Sequence, residues 1–374
     1  MKKLELTKVE RALLSLLRAS LQGEVVNNSS LESFTDKDWN LLYSLSKKQG
    51  VAALVWDGIQ MLPSELQPPR TIKIVWALYV EQCEKKYIHY VRVIAELTDF
   101  FAQYRIGTVL LKGVGLSPLY LHPEHRECGD LDIYTYSLDK AKLSDDEARA
   151  LSNKLIEEKG IEVDYKHPKH CIFNYKGIPI ENHNFFLDKN IIKTAGFLNL
   201  FLSQIISPHN VSLLDGHVSV SIPSDDFNAI FVSYHAIQHL RMGLCLHHLC
   251  DWAYILNHCD LEFLNKIENK KYIKLVKILS QITNNYLGSH VDIQVNTEEM
   301  NLILLEILRS PYLSKLNGTG KFNILLYKLK RFAYIIKLRN QFVEDSILHY
   351  IWKSICFKIK HPDTIFKEKD EIIS

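Results

Sequence analysis

Asp130 and Asp132 stand two residues apart in GDLDIYTYS, where a polar stretch gives way to strand alternation. Side chains alternate across a strand, so carboxylates at i and i+2 point the same way. Like charges at that distance repel, and a fold keeps them when a cation sits between them or solvent screens them. Glu181 lies in a later strand candidate, IPIENHNFF. If that strand pairs near the first, the three carboxylates form a hard, oxygen-rich site suited to Mg²⁺ or Mn²⁺. Alone, Asp-x-Asp at a strand edge is common, and Gly129-Asp130 also suits an ordinary turn.

The segment TVLLKGVGL reads as a strand, then Lys112-Gly113, then a helix start. A glycine at such a turn lets a phosphate approach backbone N–H groups and the positive end of the helix. Lys112 could add a point charge to the same phosphate, or simply be solvated beside a tight turn. His183 shares a strand face with Glu181 and could bind a base or an acceptor, or be a strand histidine beside a cleft. Residues 235–259 are rich in His and Cys, and His235 and His239 have the i, i+4 spacing of two zinc ligands. No Glu follows His235, so this is not the H-E-x-x-H protease motif, and packing residues are the favoured reading. Asp251 is either a carboxylate near the site or the buried partner of a basic residue.

The order of these pieces carries more than any one of them: strand, Lys112-Gly113, short helix, Arg126, Gly129-Asp130-Leu131-Asp132, then a strand with Glu181. In this order the chain resembles the uncharacterised nucleotidyltransferase family of the DNA polymerase beta-like superfamily. The matching segments are VLLKGVGLSPLYLHPEHRECGDLDIY, IPIENHNFF and YHAIQHLRMGLCLHHLCDWAYIL, within a likeness running from about residue 10 to 260. The resemblance implies a nucleotidyltransferase palm and transfer of a nucleoside monophosphate from an NTP to an acceptor, with pyrophosphate leaving. It puts Asp130 and Asp132 on the metal-binding aspartates and Glu181 on the third carboxylate. Lys112 and Gly113 fall on the triphosphate turn, with Arg126, Gly129 and His183 expected on the nucleotide side.

The chain departs from the pattern twice. Val114 follows Gly113 where the wider superfamily has Ser, and His247-His248 stand where relatives carry Arg. Phosphate contacts then fall to Lys112, Arg126 and backbone N–H groups. These departures keep open an alternative, a catalytically weak nucleotide-binding or regulatory module with the same fold. For the enzyme, two divalent ions about 3.5–4 Å apart would clamp an in-line displacement at phosphorus, and positioning would do most of the catalysis. Alanine at Asp132 is then expected to abolish turnover with the melting temperature near wild type.

Positioning these residues requires an α+β fold, a small mixed β-sheet flanked by N-terminal and C-terminal helical regions. The expected division is residues 1–105 helical, 106–190 palm and 191–374 helical. The chain of 374 residues is 47% hydrophobic and 24% charged, which excludes disorder as the main state and suits an ordinary globular protein. Net charge is only +2, so the whole molecule is not an evident polyanion binder. Residues 311–374 nevertheless hold 12 Lys/Arg against 6 Asp/Glu. There a helix with Lys328, Lys330, Arg331, Lys337 and Arg339 is a possible nucleic-acid contact, or the solvated face of a packed helix. Its expected apolar stripe is Phe322, Leu325, Leu329, Phe332 and Ile336.

No segment reaches the roughly 18 consecutive apolar residues of a membrane span. The start, MKKLELTKVERALLSLLRAS, has two lysines like a signal peptide, but charges interrupt its apolar part and it reads as an amphipathic helix. The seven cysteines are an odd number without a CxxC pair, and reduced thiols in a cytoplasmic protein are the expectation.

Overall fold

The structure is a computed structural model that describes residues 5–26, 29, 31–187, 195–240, 243–259, 261–309 and 321–342, with six further positions between 348 and 359. The helix expected over Asp345–Ile359 lies largely outside the described residues.

The chain opens with helices α1 (Lys8–Gln22), α2 (Asp36–Lys48) and α3 (Ala52–Gln60). Two of them begin where side chains satisfy the free N–H groups of a first turn. Thr7 pairs with Glu10 in a capping box on α1, and Thr35 pairs with Asp38 on α2. Gly58 of α3 lies against α1 so closely that a Cβ there would meet the Leu16 carbonyl oxygen at 2.3 Å. After Pro68-Pro69 the chain enters α4 (Arg70–Ala102), as the three- and four-residue spacing of its aromatic residues predicts.

The sheet is built from β1 (Ile106–Leu110), β2 (Leu131–Ser137), β3 (Val163–Asp164), β4 (His170–Tyr175) and β5 (Ile178–His183), with α5 (Asp145–Glu158) between β2 and β3. Strand order is β1-β2-β5-β4-β3. Only β2 and β5 run parallel, and their register sets Asp132 beside Glu181. The connection from β1 is a 3₁₀ segment over Gly113–Leu119 rather than the short α-helix expected, with Pro118 inside it.

Beyond the sheet come α6 (Ala195–Ile205), β6 (His209–Leu213), β7 (Val218–Ile222), α7 (Asp225–His239), α8 (Leu246–His258), α9 (Lys270–Leu287), α10 (Thr297–Arg309) and α11 (Lys321–Phe342). The antiparallel β6–β7 pair corrects the expectation that the chain is helical throughout after residue 190. Its signal was a period-two run, HNVSL and VSVSI, around Asp215-Gly216. The buried residues of α11 are Ile335, Leu338 and Phe342, while Leu329 is exposed. Of the expected stripe, Leu329 is corrected, Leu325, Phe332 and Ile336 are half-buried, and the Phe322 side chain lies outside the described residues; α11 contacts α9. The side chains of Lys328, Arg331 and Arg339 lie outside the described residues.

Two apolar cores result, and α4 spans both. Trp76 and Val80 join the core of the helices. Val91, Ile94, Leu97 and Phe101 join the core beneath the sheet. Strand β1 divides likewise: Val109 points to the first core, Ile106 and Leu110 to the second. Each such side chain contributes roughly 1.5–3 kcal/mol by leaving water. Helices from the two ends of the chain share the first core and are tied by polar bonds. Gln22 Nε2 donates to the Leu287 carbonyl at 2.9 Å, and Gln49 Nε2 to that of Ile307 at 2.8 Å. Arg309 grips Glu10 with two bonds, at 2.8 and 2.9 Å.

Burial pushes the Glu10 carboxyl up, but the bonds from Arg309 and Thr7 outweigh it and hold it below its ordinary value. A depressed carboxyl adds stability above its unfolded pKa, and that stability is lost as pH falls through the folded value. Glu10→Gln should therefore cost about 0.5–1 kcal/mol at neutral pH, Arg309 being partly exposed. Thermal unfolding measured down a pH series should show the gap to wild type closing in acid. A gap that stays constant would refute the role given to this pair.

Candidate active site

Asp132 is fully buried on β2, and a buried carboxylate needs compensating partners. It has two. Lys112, two residues beyond the end of β1, donates Nζ to Oδ2. His183, at the end of β5, donates Nε2 to Oδ1 at 2.8 Å. Burial alone would raise the Asp132 carboxyl, but the Lys112 charge and the His183 hydrogen bond hold it well below the usual range. Burial would likewise lower the Lys112 ammonium, yet Asp132, Asp130 and Glu181 together hold it firmly protonated.

The other two carboxylates are less well served. Burial and the neighbouring Asp132 charge push Glu181 up to about 7, against the pull of Lys112. Glu181 Oε2 lies 3.1 Å from His170 Nδ1 and 3.7 Å from His183 Nε2. Asp130, just before β2, is also raised by burial, with Lys112 and Asp132 acting in opposite directions. Three acidic groups thus converge on one ammonium. The three carboxylates offer oxygen donors that fit a hard divalent cation, with His170 Nδ1 beside Glu181 and Lys169 also on the cavity wall.

Gly113 follows Lys112 with φ +61°, in the left-handed region, and a Cβ there would meet Cys128 Sγ at 2.7 Å. Cys128 Sγ in turn donates to the Asp130 carbonyl at 2.8 Å, fixing the approach to β2. Gly129 is exposed, and its carbonyl accepts from Tyr90 Oη at 2.9 Å.

These residues border a cavity of about 700 Å³. Lys112, Gly113, Arg126, Gly129, Asp130 and Glu181 line it, while Asp132 lies behind the wall. His183 is fully buried and likewise off the wall. Here His183 Nε2 is engaged by Asp132, so the histidine acts on the site through that carboxylate. Arg126 reaches the cavity but is held by Asp251 on α8, Nε to Oδ1 at 3.1 Å and Nη2 to Oδ2 at 2.6 Å. Asp251 is thus the buried partner of a basic residue, and Tyr120 Oη donates to it as well, at 2.6 Å. Glu127 caps the start of α3 from a distance, accepting from Ala52 N at 2.6 Å and from Tyr79 Oη at 2.7 Å.

The cavity also takes in His167, Lys169 and His170 from the turn before β4 and the start of that strand. In the sequence His167-Pro168-Lys169 reads as a polar turn and His170 as the start of a strand, with nothing local to show that they face the carboxylates. The opposite wall carries His235 and His239 of α7 and His247 and His248 of α8. Alanine at Asp132 is no longer expected to leave stability intact, since it would strand Lys112 and His183 and cost about 3–5 kcal/mol.

The sequence model of a family described as an uncharacterised nucleotidyltransferase matches residues 35–284. Among solved structures, the chain is similar to an antigenic nucleotidyltransferase-like protein from Paracoccidioides brasiliensis, with 11% identity and a TM-score of 0.35. That likeness covers 54% of this chain and 93% of the other. No curated protein matches the chain.

The Arg126–Asp251 clamp gives a direct test of how the wall is held. Either Arg126→Ala or Asp251→Ala should destabilise the protein by about 3 kcal/mol, each leaving a buried charge unpaired. The double variant should cost clearly less than the two together. Additive losses in denaturant titrations would show that the pair is not coupled.

Proposed function

Because the chain belongs to the uncharacterised nucleotidyltransferase family, a family of nucleotidyl transfer, we propose that it moves a nucleoside monophosphate from an NTP to an acceptor hydroxyl with Mg²⁺ or Mn²⁺. One observation carries this reading: the parallel pairing of β2 and β5 that sets Asp132 beside Glu181, with Asp130 two residues back and Lys112 between them. Asp130, Asp132 and Glu181 would hold the metal. When bound, it supplies charge neutralisation for the triphosphate and a more acidic acceptor hydroxyl.

The protein's own groups do the rest. Glu181, beside Asp132 at the cavity wall, can also receive the proton of the acceptor hydroxyl. The acceptor oxygen forms its bond to the α-phosphorus as the α–β anhydride bond breaks, and pyrophosphate leaves. Lys112 stands at the cavity wall with a charge held in place by three carboxylates, suited to a phosphate oxygen. Arg126 adds a second fixed charge, oriented by Asp251. Val114 is buried and brings no hydroxyl to the turn, so Lys112 and the backbone take the larger share of phosphate binding.

A second reading, a nucleotide-binding or regulatory module without turnover, is favoured by the Lys112–Asp132 pair itself, because Asp132 already has its compensating charge. Among the described residues no helix is long and apolar enough to cross a membrane. A nucleic-acid acceptor meeting the basic α11 is a further part of the proposal, as is a cytoplasmic setting.

The test is incubation of the purified chain with each labelled NTP and Mg²⁺ or Mn²⁺, alone and with cell lysate. Wild type should transfer label, and Asp130→Asn and Glu181→Gln should each lower the rate at least about 100-fold, the scale of several kcal/mol of lost charge stabilisation. Metal-dependent NTP binding without transfer would select the regulatory module. Neither binding nor transfer would reject both readings.

A further inference from the structure

The wall opposite the carboxylates poses a separate question. His235 and His239 lie one turn apart at the end of α7, and His248 lies in the first turn of α8. A short connection folds α8 back, so that one ring nitrogen from each histidine lies within 4.8 Å of the other two. Ring centroids are 4.4 Å apart for His235–His239 and 4.6 Å for His239–His248.

Packing histidines normally satisfy their nitrogens. Here His235 Nδ1 is buried with no hydrogen-bond partner. His248 Nδ1 lies 3.3 Å from both the N–H and the carbonyl of Cys245. The tautomer that donates to the carbonyl leaves Nε2 as a bare lone pair, the arrangement that orients many metal-bound imidazoles. His247 is not part of the group, since its Nδ1 is engaged by the Gln49 carbonyl at 3.2 Å.

We propose that His235, His239 and His248 form a binding site for a zinc-class divalent ion, distinct from the carboxylate cluster and independent of nucleotidyl transfer. Three imidazoles suit Zn²⁺, whereas Mg²⁺ and Mn²⁺ prefer the carboxylate oxygens of Asp130, Asp132 and Glu181. Nitrogens around a tetrahedral Zn²⁺ sit roughly 3.3 Å apart, so the rings need to close by about 1 Å. Burial, followed by neighbouring positive charge, lowers all three imidazoles, His239 to about 4, so at neutral pH they are already in the ligand form. All three line the cavity, so the fourth position faces the same space as Glu181 and Lys112. Three protein ligands with an open position can take a water, a hydroxide or a phosphate oxygen.

The experiment measures metal in full-length protein purified without a metal-chelating column, then titrates the stripped protein with Zn²⁺ and with Co²⁺ as a coloured substitute. Wild type and the Asp130→Asn/Glu181→Gln variant should each bind about one ion per chain at the nitrogen site. Co²⁺ should give the strong visible absorption of a low-coordinate nitrogen site in both. His235→Gln/His239→Gln and His248→Gln should weaken binding at least about tenfold, the scale of losing a ligand. Circular dichroism of the stripped variants checks that they fold. If they do not, the Co²⁺ spectrum of wild type and of the carboxylate variant still decides the matter. Trace zinc with no Co²⁺ absorption would overturn the proposal. So would binding that survives loss of the histidines but not of the carboxylates.

Discussion

The buried carboxylate of Asp132 is the constraint on which the rest of the site depends. A fully buried charge survives only with partners, and here they come from two other strands of one sheet. Lys112 arrives from the end of β1 and His183 from the end of β5. Both neighbours of β2 are thereby tied to it at the same level, and the order β1-β2-β5 becomes an electrostatic as well as a hydrogen-bonding arrangement. Glu181 follows as a consequence. Once β5 lies parallel to β2 in this register, its carboxylate has no place but beside Asp132, where burial and like charge keep it half protonated near neutrality.

The same constraint explains why the loop from 111 to 130 is so closely held despite its little regular structure. Gly113 takes a positive φ against Cys128. Cys128 bonds the Asp130 carbonyl, Tyr90 bonds Gly129, and Arg126 is locked on Asp251. Each bond places one side of the cavity relative to α4 or α8. Both helices reach the core that the chain's early and late helices build together, so the position of the site rests on packing distant in sequence. The Arg309–Glu10 bond joins those ends directly.

Much of this was legible where the signal is local. LDIYTYS alternates with period two and forms the β2 strand, and T-D-K-D at Thr35 has the spacing of a capping box and starts α2. The order of Lys112-Gly113, Asp130-Leu131-Asp132 and Glu181 was enough to suggest three carboxylates in one place. What stayed hidden needs partners that only the fold supplies. Lys112 looks free in sequence because its partner is 20 residues away. Arg126 looked available for phosphate because Asp251 is 125 residues away. His183 read as a ligand contact because nothing in E-N-H shows that its face meets Asp132. The β6–β7 pair was missed for a different reason: its period-two signal was present but short, between helical stretches.

One cavity therefore carries two donor sets of opposite character. The sheet wall offers carboxylate oxygens with the ammoniums of Lys112 and Lys169 and the imidazole of His170 near them. The helix wall offers imidazoles that burial keeps neutral, and the histidine pattern of α7 and α8 faces it across the same space. Hard and borderline cations discriminate between such sets by ligand type rather than by position. The neutral wall adds no positive charge that would compete with Lys112 for the carboxylates. It also adds no negative charge to repel a triphosphate. His247 and His248 stand on that wall, and burial keeps both imidazoles uncharged at neutral pH. An ion bound by the three imidazoles, as proposed above, would add positive charge to donors that are otherwise neutral, beside the fixed charges of Arg126 and Lys112.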